Sequence, residues 1–121
     1  MTYLAKIKKL YSMIEEGKMM EAFEELYHED VEVIEANGDV RKGKDAQREA
    51  IKGWVASIKE QHGGGTGKIT SNEEDGVTMI ESWTDVTFQD GNRWKLEEVG
   101  VQHWKDGQII KERFYYNAPN M

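Results

Sequence analysis

Three Asp-Gly pairs punctuate the second half of the chain at nearly even spacing: Asp75-Gly76, Asp90-Gly91 and Asp106-Gly107. Asp-Gly supplies the positive backbone φ that tight hairpin turns demand. The segments between the pairs are rich in β-branched and aromatic residues. The pattern predicts a β-meander with strands near 67–74, 77–89, 92–105 and 108–117. Two of these exceed the usual length of about 5–6 residues, so bends or bulges are expected in them.

The first half has a different period. Tyr3, Leu4, Ile7, Leu10, Tyr11 and Ile14 recur at helical spacing, and Gly17 is a stop. Met19, Phe23, Leu26 and Tyr27 form a second, shorter stripe. A strand over about 31–36 follows, and Asn37-Gly38-Asp39 turns the chain into a brief return at 40–42. A third helix is predicted from Lys44–Asp45, with Asp45 favouring its N-terminus. Gln47, Ala50, Ile51, Trp54, Val55 and Ile58 share one of its faces. Gly63-Gly64-Gly65 then reads as a flexible loop. Helices first and a long antiparallel meander last give an α+β fold with the helices on one face of a curved sheet.

The 121 residues suit one domain, 1–121. The formal net charge of −7 argues against a nucleic-acid role, which wants a basic face. The chain lacks cysteine, which excludes thiol chemistry and fits a reducing cytoplasm. No apolar run approaches the roughly 20 residues that span a bilayer. The periodic N-terminal segment reads as a helix rather than a signal peptide. No Gly-x-Ser-x-Gly, phosphate-binding loop or dinucleotide fingerprint occurs, and His28, Glu29 and Asp30 have no partner at ligand spacing. No metal or cofactor is expected.

The segments YHEDVEVIEANGDVRKGKDAQREAIKGW and VQHWKDGQIIKERFYYN, in this element order, resemble the SnoaL-like and ketosteroid-isomerase-like proteins of the nuclear-transport-factor-2-like superfamily. The resemblance covers nearly the whole chain. It rests on Tyr27, Glu29 and Asp30 before the first strand, Gly43 to Ala46 opening the long helix, and the Trp104 to Gly107 turn. It implies a cone-shaped half-barrel, a curved and mostly antiparallel sheet wrapped around three N-terminal helices. A pocket lies between them, usually in a homodimer. The superfamily spans isomerases, cyclases, dehydratases, hydrolases and non-catalytic domains, so fold alone does not choose an activity.

Glu35 is the first candidate for chemistry. It shares strand parity with Val31 and Val33, so it points where they point. If that is the core, burial raises its pKa toward a useful proton-transfer range. The resemblance places it on the aspartate base of ketosteroid isomerases, with Glu for Asp and Ala36 where proline is usual. The competing reading is a carboxylate paired with Lys or Arg at the pocket mouth. Gln102 or His103 would donate to a developing enolate; adjacent strand residues face opposite ways, so only one is inside. The acid donor of those isomerases is missing unless Glu98 or Glu112 supplies it. Tyr11 is the helix-borne hydroxyl. Trp54, Trp104, Tyr27 and Tyr115 are candidate ligand contacts. Glu81 and Asp85 lie about 13 Å apart along their strand, too far for an acid pair. The functional expectation is a small-molecule-binding domain, either a cofactor-free acid/base isomerase or cyclase acting on an apolar carbonyl compound with Glu35 as base, or a non-catalytic ligand-binding or dimerisation module.

Overall fold

The computed structural model describes residues 1–117. Its elements are α1 (Tyr3–Glu15), α2 (Met19–Leu26), β1 (Tyr27–Ile34), β2 (Val40–Lys42), α3 (Lys44–Ser57), β3 (Ile58–Asn72), β4 (Val77–Phe88), β5 (Arg93–Lys105) and β6 (Gln108–Tyr116). The strands form one six-stranded sheet in the order β2-β1-β6-β5-β4-β3. Only β1 and β6 pair in parallel; every other neighbour is antiparallel. The three helices pack on one face of this open, curved sheet, which is the α+β architecture expected. No helix among the described residues is long and apolar enough to cross a membrane.

The turns sit where the Asp-Gly pairs place them. Gly76 and Gly91 have φ of +68° and +91°, and Asp106 and Gly107 are both positive at +53° and +82°, as a type I′ hairpin requires. The core lies between helices and sheet. Ile7 and Leu10 from α1, Phe23 and Leu26 from α2, and Val31, Val33, Ile80 and Ile109 from the sheet are buried together. Thr2 caps α1 by accepting from Ala5 N at 3.0 Å. The Glu73 carboxylate, at the β3–β4 turn, accepts from Tyr3 N and Leu4 N at 2.8 and 3.1 Å. The meander thereby ties down the orphan N–H groups that open the first helix.

Several local expectations change in three dimensions. Tyr27 begins β1 rather than ending α2. Gly43, at φ +94°, is the N-cap of α3, while Asp45 lies in its first turn. Val55 is 56% exposed, so the buried face of α3 runs through Gln47, Ile51 and Trp54 instead.

The largest change concerns Gly63-Gly64-Gly65. These residues are not a loop but the middle of β3, paired with Asp85, Thr84 and Trp83 of β4. The physical reason is Trp83. A Cβ on Gly63 would approach its ring at 3.1 Å, and one on Gly65 would approach its Nε1 at 2.8 Å. Two glycines on one side of the strand leave room for an indole to lie flat across it, and the ring in turn shields their bare backbone. Gly65→Ala should destabilise the protein by about 1 kcal/mol, the lower end for overpacking, because Trp83 is partly exposed and can shift. Chemical denaturation of Gly65→Ala alone and in a Trp83→Ala background checks this: the penalty should vanish in the double variant.

Candidate active site

A cavity of about 590 Å³ opens between α1, α3 and the inner face of the sheet. Leu10, Ile14, Phe23, Ile51, Trp54 and Phe114 supply much of its wall. Two carboxyl groups, Glu98 of β5 and Glu112 of β6, reach it from the sheet. Among the described residues, none that lines this cavity is Lys, Arg or His.

Strand register explains how the acids come to face inward. Glu98 lies opposite Ser82 on β4 and Tyr116 on β6. Gln102 lies opposite Thr78 on β4 and Glu112 on β6. All these positions share the inner face with Ile80, Val86 and Leu96. Burial pushes the Glu98 carboxyl up to about 7, with the nearby charges of Glu112 and Glu35 adding to the rise and Ser82 opposing it. Ser82 Oγ is 3.5 Å from Glu98 Oε1. Burial likewise pushes Glu112 up to about 7, although hydrogen bonds from Tyr27 and Gln102 pull against it. Acids that titrate near neutrality can give and take protons at physiological pH.

Glu112 sits in a continuous buried network. Tyr27 OH donates to its Oε1, and Gln102 Nε2 donates to its Oε2 at 2.9 Å. Thr78 Oγ1 donates to Gln102 Oε1 at 2.8 Å, and Trp104 Nε1 donates to Thr78 Oγ1 at 2.9 Å. Thr78, Gln102 and Glu112 are all within 1% of complete burial. Tyr11, from α1, lies against the same acids; burial first, then the charges of Glu112 and Glu98, hold its hydroxyl well above the usual tyrosine range. A protonated Tyr11 is a neutral hydrogen-bond donor at the cavity wall.

Glu35 lies elsewhere. It follows β1 with the parity of Val31 and Val33, both fully buried, but its carboxylate lines an adjoining cavity of about 420 Å³. Arg41 Nη2 of β2 donates to its Oε1, and Tyr116 OH donates to its Oε2 at 2.9 Å. Arg41 Nε also donates to Gln47 Oε1 at 2.7 Å. Glu35 is therefore an ion-paired carboxylate beside Arg41, not an isolated acid in an apolar interior. The two cavities share Gln47, Ile51, Trp54, Leu96, Glu98 and Phe114, so Glu98 stands at the boundary between them.

The other candidates separate by strand face. Gln102 is inside and His103 is exposed on the outer face, opposite Val77 and Lys111. Trp54, Tyr11 and Tyr27 line the main cavity. Trp104 lines neither cavity; it shares the inner face with Gln102 and is buried against Tyr3 of α1, their ring centroids 5.6 Å apart. Tyr115 is 51% exposed on the outer face, with the Arg113 guanidinium 5.2 Å from its ring. Glu81 and Asp85 also face outward, Glu81 accepting from Lys68 N and Asp85 pairing with Arg93. Among the described residues, no group of three potential ligands could hold a metal ion.

The family model of the SnoaL-like domain matches residues 1–116. The chain belongs to the SnoaL-like family. A Mesorhizobium loti protein described as a SnoaL-like polyketide cyclase superposes on this SnoaL-like domain with a TM-score of 0.85 at 30% identity, covering 96% of this chain and 100% of that one. A nuclear-transport-factor-2-like protein of unknown function from Burkholderia pseudomallei superposes with a TM-score of 0.80 at 14% identity, over 97% and 92% of the two chains. A Catenulispora acidiphila protein with a ketosteroid-isomerase-like fold gives 0.67 at 15% identity, over 79% and 73%. At those lower identities the likeness is one of fold. No curated protein matches the chain.

Within the SnoaL-like domain, sequence reasoning left the acid pair as a fallback. A signal was available: Glu98 shares parity with Trp94, Leu96 and Gln102, and Glu112 shares it with Phe114 and Tyr116. A carboxylate alternating with large apolar residues on a long strand is a candidate for burial. Arg41 as the partner of Glu35 had a weaker signal, since it depends on how β2 folds back on β1 at the Val33–Arg41 pair.

Proposed function

We propose that this protein is a cofactor-free acid/base catalyst that moves a proton on a small, largely apolar carbonyl compound held in the main cavity, as an isomerase or cyclase does. One observation carries the reading: two carboxyl groups held near neutral pKa and a protonated tyrosine reach one cavity walled in part by aliphatic and aromatic side chains. In this reading Glu98 gives and takes the proton, Glu112 is a second acid on the same cavity wall, and Tyr11 donates to the oxygen on which enolate charge develops. Glu35 is assigned to the substrate's far end, because Arg41 and Tyr116 already occupy both of its oxygens. The cavity walls, Trp54 and Phe114 among them, suit a flat apolar ligand.

The test is hydrogen–deuterium exchange at the α-carbon of a panel of cyclic and aryl ketones in D2O, followed by NMR at pH 7. The protein should accelerate exchange for at least one, and Glu98→Gln should slow it by about 10²–10⁴-fold, the usual worth of a positioned acid or base. Ligands that bind with no exchange would favour a carrier instead.

The same reading includes a homodimer. The outer face of the sheet exposes Met79, Trp83 and Tyr115 at 45%, 37% and 51%. Val99 and Val101 are half-buried on that face. An apolar patch of this kind is usually covered by a second copy. Light scattering at micromolar concentration should give twice the 14.0 kDa chain mass, and a monomer would refute it.

A further inference from the structure

We infer that Trp104 and Thr78 are positioning residues that set the order in which the two cavity acids ionise: through Gln102 they commit Glu112 to being the fixed carboxylate and leave Glu98 as the carrier of the exchangeable proton. This assigns roles within the acid/base reading above, and it rests on that reading for its consequence in catalysis.

The argument begins at the one group in the network with no choice. An indole N–H can only donate. Trp104 Nε1 points at Thr78 Oγ1 at 2.9 Å, so that hydroxyl oxygen accepts. The single hydroxyl proton of Thr78 must then go to another acceptor. Gln102 Oε1, 2.8 Å away, is that acceptor. With its carbonyl oxygen turned to Thr78, the Gln102 amide has its NH2 facing Glu112 Oε2 at 2.9 Å. Amide orientation follows from the network, and here the network is anchored at a group that cannot reverse. Glu112 Oε1 meanwhile receives Tyr27 OH. Both oxygens of Glu112 are thus met by donors, which suits a carboxylate; a carboxyl proton would find an acceptor here only if Tyr27 OH gave up its own donation.

The reverse arrangement has a definite defect. If Glu112 held the proton and gave it to Gln102, the amide would flip and present Nε2 to Thr78. The Thr78 oxygen would then face two donors, and its own proton would have no acceptor in a fully buried position. Buried donors without partners are strongly disfavoured. Glu98 lies under no such constraint. Among the described residues, its side-chain partner is Ser82 at 3.5 Å, and it borders both cavities. Of the pair, it is the acid free to hold a proton and hand it to a ligand.

Other titratable groups face the pair from every side: Tyr11 of α1, Tyr27 at the head of β1, Glu35 after β1, Arg41 of β2 and Tyr116 of β6. Glu35 bears on both acids, and Arg41 favours the charged form of Glu112, reinforcing the same order.

Carbon-13 NMR of the ligand-free protein, labelled at glutamate side chains and assigned with Glu98→Gln and Glu112→Gln, reads the order directly, with or without turnover. Glu112 should ionise first, its midpoint about one pH unit below that of Glu98, the scale a committed pair of donors supplies. Thr78→Val, which cannot accept from Trp104 or donate to Gln102, should close that gap or invert it. Thr78→Ser keeps the hydroxyl and should retain it. Trp104→Phe should narrow it by freeing the hydroxyl to turn. Glu112 ionising last in the native protein, or Thr78→Val leaving the gap as wide as Thr78→Ser does, overturns the inference. Absence of ketone exchange would overturn the catalytic reading while leaving the measured order intact.

Discussion

Replacing Glu98 by Gln should make the protein more stable at pH 8 by about 3 kcal/mol, and by less than about 1 kcal/mol at pH 5. The expectation follows from linkage. An unfolded glutamate releases its proton near 4.5, but burial, aided by Glu112 and Glu35, keeps that of Glu98 until about 7. Between those values the folded state binds more protons than the unfolded one, so stability falls as pH rises. The contribution is fully present below 4.5 and is lost as pH climbs through 7. A separation of about two and a half pH units is worth about 3 kcal/mol, at 1.36 kcal/mol for each. A glutamine in place of Glu98 cannot ionise, so the variant escapes the loss. Glu112 carries the same linkage, and the native protein should therefore lose stability from both acids between pH 5 and 8. Glu112→Gln should gain less than Glu98→Gln, because its amide has one acceptor oxygen for the two donors, Gln102 NH2 and Tyr27 OH, that now meet the carboxylate. Urea denaturation at pH 5, 6.5 and 8 measures all three proteins. A native protein equally stable at the two extremes would sink the claim.

Gly100→Ala should destabilise the protein by about 3 kcal/mol, summing an overpacked core and a broken polar network. Gly100 is buried between the two working positions of β5, with Glu98 and Gln102 on either side of it along the inner face. A Cβ there would lie 2.7 Å from Gln102 Nε2 and 3.2 Å from the Phe114 ring. An amide at the end of a free side chain could swing aside. That of Gln102 is held by Thr78 on one side and Glu112 on the other, so it moves only by giving up both. Thermal or urea denaturation checks the stability. The Glu112 NMR midpoint should rise in the same variant, since one of its two donors is displaced.

The order of elements was readable from local chemistry because local chemistry decides it. Asp-Gly pairs adopt positive φ wherever hairpins need it, and apolar spacing separates helix from strand without knowledge of partners. The parity of Val31, Val33 and Glu35 was readable too, since alternation is a property of a single strand. The Gly63–Gly65 tract misled for the opposite reason. Glycine alone signals flexibility, and only the Trp83 ring laid across it from the neighbouring strand makes it a well-ordered part of β3.

The site was less legible, because each of its properties belongs to a pair. Whether Gln102 or His103 faces inward depends on how β5 registers with β4 and β6. Whether Glu35 stands alone or paired depends on Arg41, brought back to it by the fold of β2. Glu98 and Glu112 come to line one cavity because two antiparallel strands set them on one concave face, where burial beneath the helices desolvates both. By itself, the sequence determined the order of elements, the meander and the family, all of which follow from residue identity and short-range spacing. The tertiary structure decided which carboxylates are buried and which are neutralised, because desolvation and ion pairing are set by neighbours distant in the chain.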